Sequence, residues 1–251
     1  PFVMDEFTLP HLFNFGLVIG VVIAFFNGLI HGYTGFGGAL LIVPVLTFLY
    51  GPVEAIGISC IIAIIGGVRL VFETSRQANW RELTPICTGI IVLTPVGAWF
   101  LFNIDPDLVR RSMGVFILIF ALTLLSGWSY NGSRGTMLSA LVGSVTGLIN
   151  GLTGVGGPTL ALYYLSSAQS ADVQRANIVM CIMVLTIAMF CAVIIGDGYS
   201  YFVIIRALII APAYLIGVFS GAWLFKLAPQ SYFKKIALFI LVITGLSVLA
   251  V

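Results

Sequence analysis

Apolar residues run almost without interruption through this chain, and the charges fall between the runs rather than inside them. Stretches free of charged side chains cover 12–30, 38–53, 55–68, 83–104, 113–133, 136–171, 176–196 and 207–225. Several reach the roughly 20 residues that an α-helix needs to cross a hydrocarbon core. Only helices and closed barrels satisfy their backbone in lipid. A barrel would show alternating strands of about ten residues, so the continuous runs predict an all-α polytopic membrane protein. Ten segments are expected, near 13–31, 36–50, 54–72, 84–103, 110–127, 135–150, 155–167, 173–195, 201–225 and 231–250. The second and seventh are short. Pro85, Pro95 and Pro212 fall within segments, which membrane helices tolerate because neighbours re-satisfy the freed groups.

The pattern also repeats. Gly28-Leu29-Ile30-His31-Gly32-Tyr33-Thr34-Gly35-Phe36-Gly37-Gly38 recurs 119 residues later as Gly147-Leu148-Ile149-Asn150-Gly151-Leu152-Thr153-Gly154-Val155-Gly156-Gly157, identical at eight of eleven positions. Gly97-Ala98-Trp99 echoes Gly221-Ala222-Trp223, and Pro106 with Phe116-Ile117-Leu118 echoes Pro229 with Phe239-Ile240-Leu241. A fixed period of this kind marks duplicated architecture. The expectation is one transmembrane domain over 1–251, with repeat 1 at about 12–128, repeat 2 at about 135–251, and a joint near Trp128 to Gly135.

Composition removes the soluble alternative. Of 251 residues 60% are hydrophobic and 8% charged, with a mean hydropathy of +1.15, against roughly 25% charged residues in soluble domains. Residues 1–11 carry Asp5 and Glu6 but no Lys or Arg, so a cleavable signal peptide is not expected. Cys60, Cys87, Cys181 and Cys191 lie in apolar runs without metal-type spacing and read as buried thiols. The net charge of +2 is spread between helices, which gives no nucleic-acid footprint. His11, His31 and the nine acids at or near segment ends form no nucleophile or metal constellation. No enzyme activity, cofactor or metal is expected.

Charge placement bears on topology. With an odd number of crossings per half and an outside N-terminus, the inner face receives Arg69, Arg76, Arg81, Arg134, Arg175, Lys226, Lys234 and Lys235, and the outer face Arg110, Arg111 and Arg206: eight against three. Even parity divides the same residues five to six. The positive-inside rule therefore favours inverted repeats of about five segments each, with both termini outside. Two copies of one motif in inverted halves face a single site only near the midplane, which suggests broken or re-entrant segments.

The glycine motif is the candidate chemistry. Thr34-Gly35-Phe36-Gly37-Gly38 and Thr153-Gly154-Val155-Gly156-Gly157 precede the short segments. Glycine permits positive φ and close approach of backbone to ligand, and a helix N-terminus offers unpaired N–H groups and partial positive charge to an anion. Thr34 and Thr153 supply hydroxyls or caps; Pro158 suits a first helical turn. The competing account is that these glycines only permit helix packing. His31 and its counterpart Asn150 flank the motif, His31 as a candidate proton-coupling group or a neutral interhelical bonder. Asn27, with counterpart Thr146, and Asn177 offer amides. Arg175 is either an anion contact or an anchor paired with Asp172. Arg206 is expected to snorkel, Arg69 and Glu73 to pair at i,i+4, and Trp99 and Trp223 to pack or anchor at the interface.

The duplicated Gly-x-x-Gly-x-Gly-Gly elements at 32–38 and 151–157, Val43-Pro44, Arg175-Ala176-Asn177 and the two Gly-Ala-Trp elements resemble the TauE/SafE family of sulfite and sulfonate exporters. The resemblance carries the family's glycine motif onto Gly32, Gly35, Gly37, Gly38 and Gly151, Gly154, Gly156, Gly157. A frequent third consecutive glycine is replaced by Ala39 and by Pro158. It implies a secondary transporter in a bacterial cytoplasmic (inner) membrane, working by alternating access on small sulfur-containing anions such as sulfite or sulfoacetate. Lipid, the anion, a coupling proton and a second copy in a homodimer are the expected partners. A passive anion channel, or a carrier of another small organic acid, is the alternative.

Overall fold

The computed structural model describes residues 15–126, 130, 132, 134–227 and 239. Within them lie α1 (Phe15–Thr34), α2 (Ile42–Tyr50), α3 (Pro52–Thr74), a 3-10 turn at Ser75–Gln77, α4 (Trp80–Asn103), α5 (Pro106–Leu125), α6 (Thr136–Thr153), α7 (Gly157–Leu165), α8 (Ala171–Ile195) and α9 (Tyr201–Leu227). No strand occurs among the described residues. Among the described residues six spans are long and apolar enough to cross a membrane: Phe15–Thr34, Pro52–Gln77, Trp80–Asn103, Thr136–Thr153, Ala171–Ile195 and Tyr201–Leu227. The protein is an all-α integral membrane protein. At nine residues each, α2 and α7 rise only about 14 Å, less than half of a hydrocarbon core of about 30 Å. The expectations for Asp5, Glu6, His11, Lys234, Lys235 and the tenth segment, apart from helical Phe239, lie outside the described residues, as does most of the joint.

Local chemistry sets the ends. Pro52 and Pro106 open α3 and α5, and Pro158 is the second residue of α7, positions where a missing N–H costs nothing and the fixed φ already suits a helix. The terminations of α1 and α6 match: each stops at a threonine followed by a left-handed glycine, Gly35 at φ 81 and Gly154 at φ 71. Their amides donate back to His31 O at 2.8 Å and Asn150 O at 2.7 Å, a C-terminal geometry that strains any residue with a β-carbon. The second helix starts later than its pattern predicts. The Leu41 amide is taken by Asn27 Oδ1 at 3.2 Å, so 38–41 is a turn and α2 begins at Ile42.

Two glycine-lined seams hold the bundle together. On α1 and α9, a β-carbon at Gly28 or Gly32 would strike the carbonyls of Tyr214 or Val218, and one at Gly217 or Gly221 those of Phe25 or Leu29. On α4 and α6, Gly97 faces Leu148 O, Gly143 faces Ile86 O and Gly151 faces Thr94 O in the same way. With no hydrophobic drive between helices in lipid, such backbone approach supplies the packing. Contact numbers rise together along each seam, so the paired helices run parallel. Gly32 and Gly151, the first glycines of the two motifs, are packing residues of these seams.

Ion pairs align the remaining elements. Arg206, near the start of α9, meets Glu54, near the start of α3, at 2.6 Å, and Lys226, at the end of α9, meets Glu73, at the end of α3, at 3.6 Å. Thus α3 and α9 run the same way, with α1. α2 folds back beside α1, and Arg206 stacks over Tyr50 at its far end, 4.0 Å from the ring centroid. In the second half, Gln169, just after α7, reaches Glu82 near the start of α4 at 3.0 Å, and Asn177 binds the Asn79 amide at 2.8 Å. Each long-plus-short pair, α1–α2 and α6–α7, thereby enters and leaves on one side of the molecule. Arg206 does not snorkel; its side chain is only 12% exposed and is spent on Glu54.

Candidate functional site: two glycine turns around one cavity

The ends of α1 and α6 meet. A β-carbon on Gly157 would lie 3.6 Å from both the Gly37 amide nitrogen and the Phe36 β-carbon. Both turns, at 37–40 and 154–157, line a cavity of about 40 Å³ completed by Ile56, Ser59, Cys60 and Ala63 of α3 and Ile182, Leu185, Thr186 and Met189 of α8, with Asn150 at its edge. One water needs about 10–15 Å³ on this scale, so the space suits a few waters or one small oxyanion.

Donors converge there without a formal charge. Among the described residues the amides of Gly37, Gly38 and Gly157 meet no protein acceptor, and the positive end of α7 opens at Gly157. The turn shapes are built from the helices behind them. Asn27 donates from Nδ2 to Gly38 O at 2.8 Å while accepting from the Leu41 amide, and Asn150 Oδ1 accepts from the Gly156 amide at 3.1 Å. These two asparagines do one job from positions that are not equivalent in the repeat. Thr146, the counterpart of Asn27, has a buried hydroxyl with no partner.

The threonines turn inward on their own chain. Thr34 Oγ1 sits 2.8 Å from Ile30 O and 2.6 Å from Phe36 O and accepts from the Phe36 amide at 3.3 Å. Thr153 Oγ1 donates to Ile149 O at 2.7 Å and accepts from the Val155 amide at 3.2 Å. In this conformation both hydroxyls shape the turns and neither points a proton at a ligand. His31 is buried against Tyr214 of α9, its Nδ1 hydrogen-bonded to the phenol oxygen. Together they occupy the space under Gly38, where a β-carbon would come within 2.6 Å of Nδ1 and 2.9 Å of the phenol oxygen. Asn177 is elsewhere, tied to Asn79 and Gln169.

Arg175 is beside the first turn. Its Nη2 donates to Gly32 O at 2.6 Å and Nε to Tyr33 O at 3.2 Å, its guanidinium stacks 4.4 Å over Phe225, and the residue is 4% exposed. A cation on the last carbonyls of α1 offsets the negative end of that helix. The hydrogen bonds of Arg175 thus go to the carbonyls that end α1.

The model of the sulfite exporter TauE/SafE family matches residues 20–248. The chain belongs to this family. A relative from Methanocaldococcus jannaschii, named a probable membrane transporter protein, is 25% identical over 170 residues, covering 62% of this chain and 63% of its own length. No solved structure matches.

In this TauE/SafE chain several cavity residues carried little sequence signal. Cys60 read as one buried thiol among four, and neither Thr186 nor Tyr214, which backs the first turn without lining the cavity, was singled out. Only the crossing of α3 and α8 brings the first two together. Trp99 and Trp223 lie about 60% exposed on the outer surface of the bundle, Arg69 pairs with Glu73 at 2.9 Å, and all four cysteines are free, with Cys191 exposed rather than buried. Among the described residues no three His, Cys, Asp or Glu side chains are grouped to hold a metal.

Proposed function

We propose that this protein is a secondary transporter of small sulfur-containing anions, sulfite or a small organosulfonate such as sulfoacetate, held between the two glycine turns and moved by alternating access. The observation that carries this reading is the meeting of both turns on one small cavity, beside which the amides of Gly37, Gly38 and Gly157 are left without a protein acceptor. Partial charges from backbone amides and a helix terminus stabilise an oxyanion without the desolvation penalty of a buried lysine or arginine, and they release it as readily. Family membership and the apolar spans support transport as the role.

Inverted topology fits the same picture. The ion pairs and seams put α1, α3 and α9 in one direction and α4, α6 and α8 in a second set running together, and the basic residues Arg69, Arg175 and Lys226 gather near the end of α9 while Arg206 and Arg110, whose Nη2 donates to Thr47 O at 3.3 Å, gather near its start. By the positive-inside rule the end of α9 is cytoplasmic. His31, joined to Tyr214 directly behind Gly38, is the group we assign to proton coupling.

Reconstitution in proteoliposomes tests this. Radiolabelled sulfite should enter saturably and exchange against unlabelled sulfite inside. Currents far above carrier turnover would replace the carrier by a channel, and saturable flux of a carboxylate but not of sulfite or sulfoacetate would reassign the substrate.

A further inference from the structure

The two halves are alike in backbone and unlike in charge at the positions that touch the glycine turns. α1 and α6 end at Thr34 and Thr153, and α3 and α8 begin at Pro52 and Ala171, each pair 119 residues apart. At that spacing Ile56 corresponds to Arg175. Their places correspond too: a β-carbon on Gly154 would meet Ile56 Cγ1 at 2.6 Å, and one on Gly35, the matching glycine, would meet Arg175 Cγ at 3.3 Å. Ile56 lines the cavity; Arg175, on the opposite side of the paired turns, is packed away on Gly32 O, Tyr33 O and Phe225.

If the inverted halves exchange conformations, one way for duplicated transporters to alternate access around a fixed site, the cavity passes from its present walls to their counterparts. Asn150 gives way to His31, Ile56 to Arg175, and Leu40 to Thr159, whose buried hydroxyl has no partner here. Leu185 and Thr186 give way to Gly66 and Gly67, against which Tyr214 and Met183 pack in this state. The present cavity contains no charged side chain. Its counterpart has a guanidinium.

We propose that the site is electrically asymmetric: the state that opens toward Arg175 binds the anion with a charge-assisted contact from that guanidinium, and the state seen here binds it with backbone and neutral groups alone. This rests on the transport reading above and adds a difference between the two faces to it. The Arg175 side lies with Arg69, Glu73 and Lys226 at the end assigned to the cytoplasm, so the protein captures anions at lower concentration from that face, while the gradients across the membrane set the direction of net flux. Arg175 is a binding residue in one state and a packing residue in the other.

The test compares sulfite flux at one fixed pH in right-side-out and everted membrane vesicles. The half-saturating concentration should be about tenfold lower from the cytoplasmic face, the size of one charge-assisted hydrogen bond. Arg175→Gln should bring the two faces within about twofold by raising the cytoplasmic value, while the outer value stays put; Arg175→Lys, which keeps the charge and guards against a folding defect, should retain most of the difference. A residue that only capped α1 would shift both faces together. Equal half-saturation in the unmodified protein, or an asymmetry that survives Arg175→Gln, overturns the proposal and leaves the transport reading intact. Absence of saturable flux of sulfite, sulfoacetate or any small anion from either face overturns both.

Discussion

At the scale of single residues, the candidate site is a piece of backbone held in shape by the side chains bonded to it. Thr34, Thr153, Asn27 and Asn150 all spend their polar atoms on the turns. Thr34→Ala removes the acceptor of the Phe36 amide and a donor to the backbone behind it, each worth about 1 kcal/mol. Sulfite affinity in detergent should fall several-fold while the amount of protein inserted is unchanged; calorimetric titration measures the one and membrane yield the other. Gly154→Val is harsher. It places a β-branched residue at φ 71 and drives its β-carbon into Ile56, a combination costing about 1–3 kcal/mol in backbone strain alone. Loss of detectable sulfite binding is expected, and unimpaired binding would show that the turn is not the site.

Helices meet where their glycines allow it. The α1–α9 and α4–α6 seams bring carbonyl oxygens against α-carbons, and substitution there has nowhere to go. Gly143→Ala, facing Ile86 O, should lower the melting temperature of the purified protein by several degrees. Gly114 is the control: nothing lies within 4 Å of where its β-carbon would be, so Gly114→Ala should be neutral or stabilise α5 by about 0.5–1 kcal/mol through helix propensity. A melting series in one detergent separates the two, and equal effects would contradict the packing described.

For the molecule as a whole, the decisive relation is between turns that lie 119 residues apart in sequence. The Phe36 β-carbon and the position a β-carbon would take on Gly157 are 3.6 Å apart, inside the span of about 3.5–4.5 Å that a disulfide bridges. A Phe36→Cys, Gly157→Cys double variant should form an intramolecular disulfide on mild oxidation, detected by a mobility shift that reductant reverses, and its flux should stop and restart with it. Failure to cross-link would separate the turns and dissolve the site. The Glu54–Arg206 pair joins the halves at the other level. Glu54→Gln alone strands a guanidinium whose Nε is already buried without a partner, so it should destabilise more than Glu54→Gln combined with Arg206→Met, as paired charges do when only one is removed. Thermal melts of the single and double variants decide that order.

Much of this was legible along the chain because the solvent is lipid. A bilayer admits only helices of a certain length, so continuous apolar runs determined the class and the two short elements, and the repeated glycines marked where the runs break. Left-handed termination of α1 and α6 followed from Thr-Gly at each end. What the chain could not specify was which of two glycine uses applied at each position, since packing and turning demand the same missing side chain; Gly32 went to a seam and Gly35 to a turn. Nor could it tell that Arg175 binds α1 carbonyls, that Arg206 meets Glu54, or that Cys60 and Thr186 share a wall. Those are contacts between residues far apart in sequence. Only the crossing of helices decides them, because in lipid no apolar face has a preferred partner until backbones touch.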